Sequence, residues 1–318
     1  MGKSIYVSIC CLDEDQELES TILSCLLKAE SPNDINIGIA FIGNYDFYRI
    51  ISDKFINSKN IKTTFYEFEG NIGVAKGRKL AATMYSNEDY FLQIDAHMMF
   101  ANKWDSFLVD KINKAKKEFN KEKIILTAYA GSYSYVDIGD KHYSTKINKN
   151  SFCYTYWIKK EFWIKNRTIP KWTHSWNSDD RFLPMSKISA HMIFSNGELA
   201  KDLHLPEHLM FWEEEIIQAI ELIDDDYTLV FPGVECAIFH LYHDEIKTDK
   251  GYRTSNVPIF DQYGPGFNNS LDIMESNFLE YLQNNIKKVK KYEDYIGFNL
   301  LTGSDKDGNI PKYFINLK

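Results

Sequence analysis

Tyr90-Phe91-Leu92-Gln93-Ile94-Asp95-Ala96-His97-Met98 decides how this chain is read. The apolar run Tyr90–Ile94 predicts a buried strand, and Asp95 and His97 follow directly at its end. Side chains alternate along extended backbone, so residues two apart point to the same face. A carboxylate and an imidazole are thus presented to one point, where a single divalent cation could be gripped by both. Carboxylate oxygen with imidazole nitrogen suits a borderline ion such as Mn better than the all-oxygen shell preferred by Mg or Ca.

Working outward, the chain alternates strands and helices. Ile5–Ile9 predicts a strand, Leu18–Leu27 a helix and Ile35–Ile42 a second strand, together a βαβ unit. A third strand, Lys62–Phe68, leads through Glu69-Gly70-Asn71-Ile72-Gly73 into a helix running to Tyr85, and the Asp95 strand comes next. This order predicts an α/β fold with a mainly parallel sheet covered by helices on both faces and ligands at the carboxyl ends of the strands. Beyond it, the pattern gives a helix over Trp104–Lys117, a strand over Lys123–Tyr129 and a polar loop over Gly131–Asn150 that helps cover the site. Phe152–Phe194 reads as an aromatic-rich insertion built around a short strand or two. Glu207–Ile223 reads as helix, and Tyr227–Phe231 and Cys236–Tyr242 as late strands. The tail Asn268–Tyr295 is helical, with Lys287, Lys288, Lys290 and Lys291 expected on a solvated face that complements the helix dipole. The expected division is a catalytic-type domain over 1–245 and a helical extension over 246–318.

Composition narrows the class. With 318 residues, 44% hydrophobic and 26% charged, the chain is that of an ordinary globular protein rather than a disordered or membrane one. No apolar run has the length of a membrane span, and Met1-Gly2-Lys3-Ser4 leads straight into the first strand without a signal-peptide pattern, so a cytoplasmic location is expected. Cys10, Cys11, Cys25, Cys153 and Cys236 have no zinc or redox spacing and read as reduced packing residues. A net charge of -8 argues against broad non-specific binding to nucleic acid.

Two further segments carry groups that belong with Asp95 and His97. One is Trp212-Glu213-Glu214-Glu215-Ile216 in a helical segment, and the other is His240-Leu241-Tyr242-His243 after a late strand. With Ile5-Tyr6-Val7-Ser8-Ile9, Gly77-Arg78, Gln93-Ile94-Asp95-Ala96-His97 and Ser189-Ala190-His191-Met192-Ile193-Phe194, these segments resemble a family of glycosyltransferases. It is the GlcNAc-transferase family that modifies hydroxyproline on cytoplasmic proteins. More distantly they are similar to the polypeptide GalNAc-transferases, which share an Asp-x-His metal motif on the Rossmann-like GT-A fold. Two departures stand out: Glu213 replaces the family's glycine before the paired glutamates, and Cys11-Leu12-Asp13-Glu14 lacks its tyrosine-arginine pair.

The resemblance implies a retaining transfer of a sugar from a UDP-sugar donor to a hydroxyl of a macromolecular acceptor, protein ahead of DNA. It implies that Asp95, His97 and His240 bind Mn with the diphosphate, with His243 the alternative to His240. Arg78 is implied to lie near the nucleotide, and Val7, Ser8, Cys10 and Asp13 to border the base and ribose. His191 and Phe194 would lie beneath the sugar, and Glu214 or Glu215 would hold the acceptor. A hydroxylated base in DNA as acceptor would use the basic, aromatic stretch with Lys159, Lys160, Lys165, Arg167 and Lys171 among Trp157, Trp163, Trp172 and Trp176. A non-catalytic nucleotide-sugar-binding module of the same fold is the third reading.

Overall fold

The structure, a computed structural model, describes residues 3–12, 17–43, 45–67, 73–139, 142–157, 172–175, 180–242, 247–248, 251–252, 267–297 and 299–302. The first half runs β1 (Ile5–Leu12), α1 (Leu18–Lys28), β2 (Ile35–Gly43), α2 (Tyr45–Phe55), β3 (Ile61–Glu67), α3 (Val74–Ala82), β4 (Tyr90–Asp95), β5 (Met98–Phe100), α4 (Trp104–Phe119) and β6 (Ile124–Thr127). It continues with β7 (Gly131–Gly139), β8 (His142–Lys149), β9 (Tyr154–Trp157), β10 (Trp172–Ser175), β11 (Leu183–Pro184) and β12 (Met192–Asn196). Then come α5 (Trp212–Asp224), β13 (Thr228–Phe231), β14 (Ile238–His240), β15 (Lys247–Thr248), β16 (Gly251–Tyr252), α6 (Phe267–Asn284) and α7 (Ile286–Ile296).

Eight strands form one mixed sheet in the order β11-β13-β6-β12-β4-β1-β2-β3. The β4-β1-β2-β3 portion is parallel throughout, and β12 runs antiparallel between β4 and β6. Parallel strands covered on both faces need apolar residues on both, which is why β1 and β4 are near-continuous hydrophobic runs rather than alternating ones. Val7, Ile9, Phe91, Leu92 and Ile94 are all fully buried. The order also creates a switch point. From β1 the chain moves outward to β2 and β3, then returns through α3 to β4 on the other side of β1. A crevice opens at the carboxyl ends of adjacent strands that leave in opposite directions, and here those strands are β1 and β4. Cys10 faces Asp95 in register across it.

A second sheet, β5-β14-β7-β8, begins where β4 ends. Ala96 and His97 are the bend between the two sheets, and α1 holds that bend. Helix α1 buries Leu18, Thr21, Ile22 and Cys25, a spacing of three, four and seven residues that defines one helical face. Within that face the Thr21 hydroxyl accepts the Met98 N–H at 2.8 Å and donates to the Ala96 carbonyl at 2.7 Å.

Several sequence expectations change. Gly131–Asn150 is not a loop: most of it is the antiparallel β7–β8 hairpin. Its outer strand is exposed over residues 144–149, so no buried face marked it as strand. Helix α2 was not anticipated. The expected helix over Glu207–Ile223 begins only at Trp212, and the helical tail is two helices rather than one. The tail's lysines are not simply a solvated face. Lys288 binds Glu221 at 2.6 Å, and Lys291 binds the Asp224 carbonyl and Asp226 at 2.6 and 2.8 Å, tying α7 to the end of α5. Tyr281 donates to Glu221, and the buried Tyr292 donates to the Ser186 carbonyl, both at 2.5 Å. No helix among the described residues is long and apolar enough to cross a membrane.

Two outcomes follow from these ties. Thr21→Val keeps the shape but leaves a buried N–H and a carbonyl without their partner, so unfolding free energy should fall by about 1–3 kcal/mol, with Thr21→Ser restoring most of it. Tyr292→Phe should lower stability by about 1–2 kcal/mol through the orphaned Ser186 carbonyl. Urea denaturation reads both, as a midpoint shift at constant slope.

Candidate active site

Asp95 ends β4 at the switch point, and the bend after it carries His97 toward the second sheet. There β5 pairs antiparallel with β14, placing His240 opposite Met98, and the Leu241 N–H donates to the His97 carbonyl at 3.2 Å. This ladder sets the two imidazoles side by side: His97 Nε2 lies 3.0 Å from His240 Nε2, which lies 3.3 Å from Asp95 Oδ2. Three potential ligand atoms, one each from Asp95, His97 and His240, fall within 4.8 Å of one another. Their chemistry fits a divalent ion. Two facing ring nitrogens at 3.0 Å hold one proton between them at most, and their spacing is that of adjacent ligands on one ion with bonds of about 2.0–2.1 Å. Two imidazoles and a carboxylate are also a donor set that favours transition metals over Mg or Ca.

Behind Asp95 lies Arg78 on α3. Its Nη2 donates to Asp95 Oδ1 at 3.0 Å and its Nη1 to Glu214 Oε2 at 2.5 Å. The helix can approach because Gly77 has no side chain: a Cβ there would sit 2.2 Å from Cys10 Sγ and 2.6 Å from Ile42 Cδ1. Gly73 does the same at the helix start, where a Cβ would meet the backbone of Leu209 and Met210. Burial alone would raise the Asp95 carboxyl, but the His240 hydrogen bond, then Arg78 and His97, outweigh it and hold it well below the usual carboxylate range. Glu214 goes the other way. Burial pushes it up to about 7, although Arg78 opposes the shift.

The three consecutive glutamates meet three different environments, since successive side chains on a helix are about 100° apart. Glu213 turns back to the helix start, accepting the N–H groups of Met210 and Phe211 at 2.7 and 3.1 Å. Glu214 faces Arg78. Glu215 accepts from Lys187 Nζ at 2.6 Å and from the Ala190 N–H at 2.9 Å. That pair fixes the loop carrying His191. The His191 ring accepts the Ala130 N–H through Nε2 at 3.1 Å, and burial, followed by the neighbouring His240, keeps the ring neutral by lowering its pKa well below the ordinary value. Its centroid is 4.9 Å from that of His240, and Tyr129 packs edge-on against it at 4.7 Å.

Thus Asp95, His97, His240, Arg78 and Glu214 form one connected group, with Cys10 and His191 beside it and Glu215 on its supporting loop. Val7 and Ser8 lie further into the sheet, opposite Leu92 and Gln93, and both are buried. Phe194 does not accompany His191: it stacks on Tyr90 at the opposite end of β4, centroids 5.4 Å apart. Asp13 and His243 lie outside the described residues, as do Trp163, Trp176 and the basic residues of 158–171. Sequence reasoning passed over Thr21, Lys187 and Tyr129. None sits in a motif, and each acts through a contact made only in the folded chain.

Residues 46–256, more than half of the 318, match the family described as Glycosyltransferase (GlcNAc). Among solved structures the chain is similar to GalNAc-T7 with UDP, GalNAc and Mn2+, at 16% identity and a TM-score of 0.57. That alignment covers 92% of this chain and 55% of that one, so the chain spans little more than half its length. It is also similar to S. aureus TarS 1-349 in complex with UDP-GlcNAc, at 13% identity and a TM-score of 0.46 over 92% of this chain and 80% of that one. No curated protein matches the sequence significantly. The likeness to GalNAc-T7 shows the expected GT-A fold, and the family match identifies the chain as a member of the Glycosyltransferase (GlcNAc) family.

Proposed function

We propose that this protein is a metal-dependent, retaining glycosyltransferase of the cytoplasm. It moves a GlcNAc-like sugar from a UDP-sugar to a hydroxyl of a macromolecular acceptor, a protein rather than DNA. The observation that carries the reading is the Asp95–His97–His240 cluster at the switch-point crevice between β1 and β4, where nucleotides bind in open α/β sheets. The GalNAc-T7 structure, which has the same fold, holds UDP, GalNAc and Mn2+.

In this reading Asp95, His97 and His240 hold the ion, with Mn2+ suited to the mixed nitrogen and oxygen ligands. The bound ion supplies positive charge to offset what develops on the departing diphosphate. The chain's own residues do the rest. Arg78 holds Asp95 from behind, with Cys10 alongside, and both border the donor. Val7 and Ser8, buried deeper in β1, back the strand end that would flank the nucleotide, and Asp13 is proposed as a further contact to it. The neutral His191 ring contributes a face beside the metal site on which the sugar can rest. Glu215, locked to Lys187 and the Ala190 N–H, sets the position of that face. Glu214 and Glu215 of α5 stand behind this group, on Arg78 and Lys187.

The purified protein with Mn2+ and a panel of nucleotide-sugars should release nucleotide from a UDP-sugar by slow hydrolysis. Exhaustive chelation should abolish release, and added Mn2+ should restore it. Asp95→Asn and His240→Ala should each cut release on the order of a hundredfold or more. Nucleotide release at the parental rate in the chelated protein would rule out the metal-dependent mechanism.

A further inference from the structure

Building on the proposed metal site, we infer that Glu214 is a positioning residue that acts on Asp95 through Arg78 and does not hold the acceptor. The Asp95 carboxylate is divided: Oδ1 accepts from Arg78 Nη2, whereas Oδ2 faces His240 Nε2. Only the second oxygen is turned toward the cluster that would hold the ion. What keeps Arg78 on one oxygen is its other amino group, occupied by Glu214 Oε2. A guanidinium is a rigid planar fork that readily grips both oxygens of one carboxylate. Without Glu214 the fork is at liberty to close on both oxygens of Asp95 and compete with the cation for Oδ2.

Burial points the same way. Glu214 is fully enclosed, and its Oε1 finds no hydrogen-bond partner among the described residues. A carboxylate that binds an incoming hydroxyl must reach the crevice, but Glu214 lies behind Arg78, which is itself only 5% exposed. The first turn of α5 is also fixed where it stands, because Glu213 accepts two N–H groups of the preceding segment and Asn277 of α6 donates to it at 3.3 Å. Glu214 is thus presented to Arg78 by a helix end that is anchored on two sides.

The test is Mn2+ titration of the full chain, followed by the loss of the free-ion EPR signal, with thermal unfolding and acceptor KM measured alongside. Glu214→Leu should weaken Mn2+ binding by about ten- to a hundredfold, the range for losing a group that orients a metal ligand. Glu214→Gln keeps a carbonyl oxygen for Arg78 Nη1 and should stay within a few-fold of the parent. Arg78→Lys has the charge but no fork to close on both oxygens of Asp95, so adding it to Glu214→Leu should bring Mn2+ binding back to within a few-fold of the parent. Acceptor KM should not change in Glu214→Gln. Parental Mn2+ affinity in Glu214→Leu, with transfer lost in Glu214→Gln, would show that Glu214 holds the acceptor and overturn the inference. Should Glu214→Leu fail to fold, Glu214→Ala takes its place, and parental Mn2+ affinity there overturns the inference. A parent chain that binds no Mn2+ refutes the proposed function and this inference together, whereas normal parental binding with unmoved variants refutes only the inference.

Discussion

The buried guanidinium of Arg78 is the interaction on which the arrangement of the site depends. A positive charge this enclosed is strongly unfavourable unless its donors are met by acceptors, and breaking such a pair leaves a charge that costs several kcal/mol. The group joins three elements: Arg78 from α3, Asp95 from β4 and Glu214 from α5. Satisfying one side chain therefore fixes two helices and a strand relative to one another. The requirement spreads to residues with no charge at all. Gly73 and Gly77 are needed because α3 must lie close enough to β1 and to the segment before α5 for the guanidinium to reach both carboxylates.

The second determinant is the bend Ala96-His97, which belongs to neither sheet and joins both. On one side it is held by the Thr21 hydroxyl of α1, and on the other by the β5–β14 ladder that brings in His240. The distance between the two imidazoles is consequently set by strand pairing, a stiff constraint, rather than by flexible loops. The loop before β12 is braced in a similar way. Lys187 and Glu215 hold it from within, and Tyr292 and Tyr295 of α7 donate to the carbonyls of Ser186 and Met185 from outside. The C-terminal helices lie beyond the residues that match the family, yet they steady the loop on which His191 stands.

Much of this was legible in the chain. The apolar runs of β1, β2 and β4 have the composition that two buried faces require, and the helical spacing in α1 marks one apolar stripe. Asp95 and His97 share a face through extended geometry alone. The reading failed where burial does not imprint a pattern. The β7–β8 hairpin has an exposed outer strand, so its polar residues resemble a loop, and α2 has a half-exposed, aromatic sequence between two strong strands.

Local periodicity and residue chemistry, which act over a few residues, were enough to determine the α/β class, the strand that ends at Asp95 and the identity of the groups available for a metal. Only the tertiary structure decided how those groups are shared out. His240 joins His97 across 143 positions because β14 pairs with β5 in one register. The three glutamates of α5, indistinguishable as a sequence, separate into a helix cap, a partner for Arg78 and a partner for Lys187. Each residue turns the helix by about 100°, and the direction in which each carboxylate then points is fixed by how α5 docks, a relation between distant segments that local spacing does not encode.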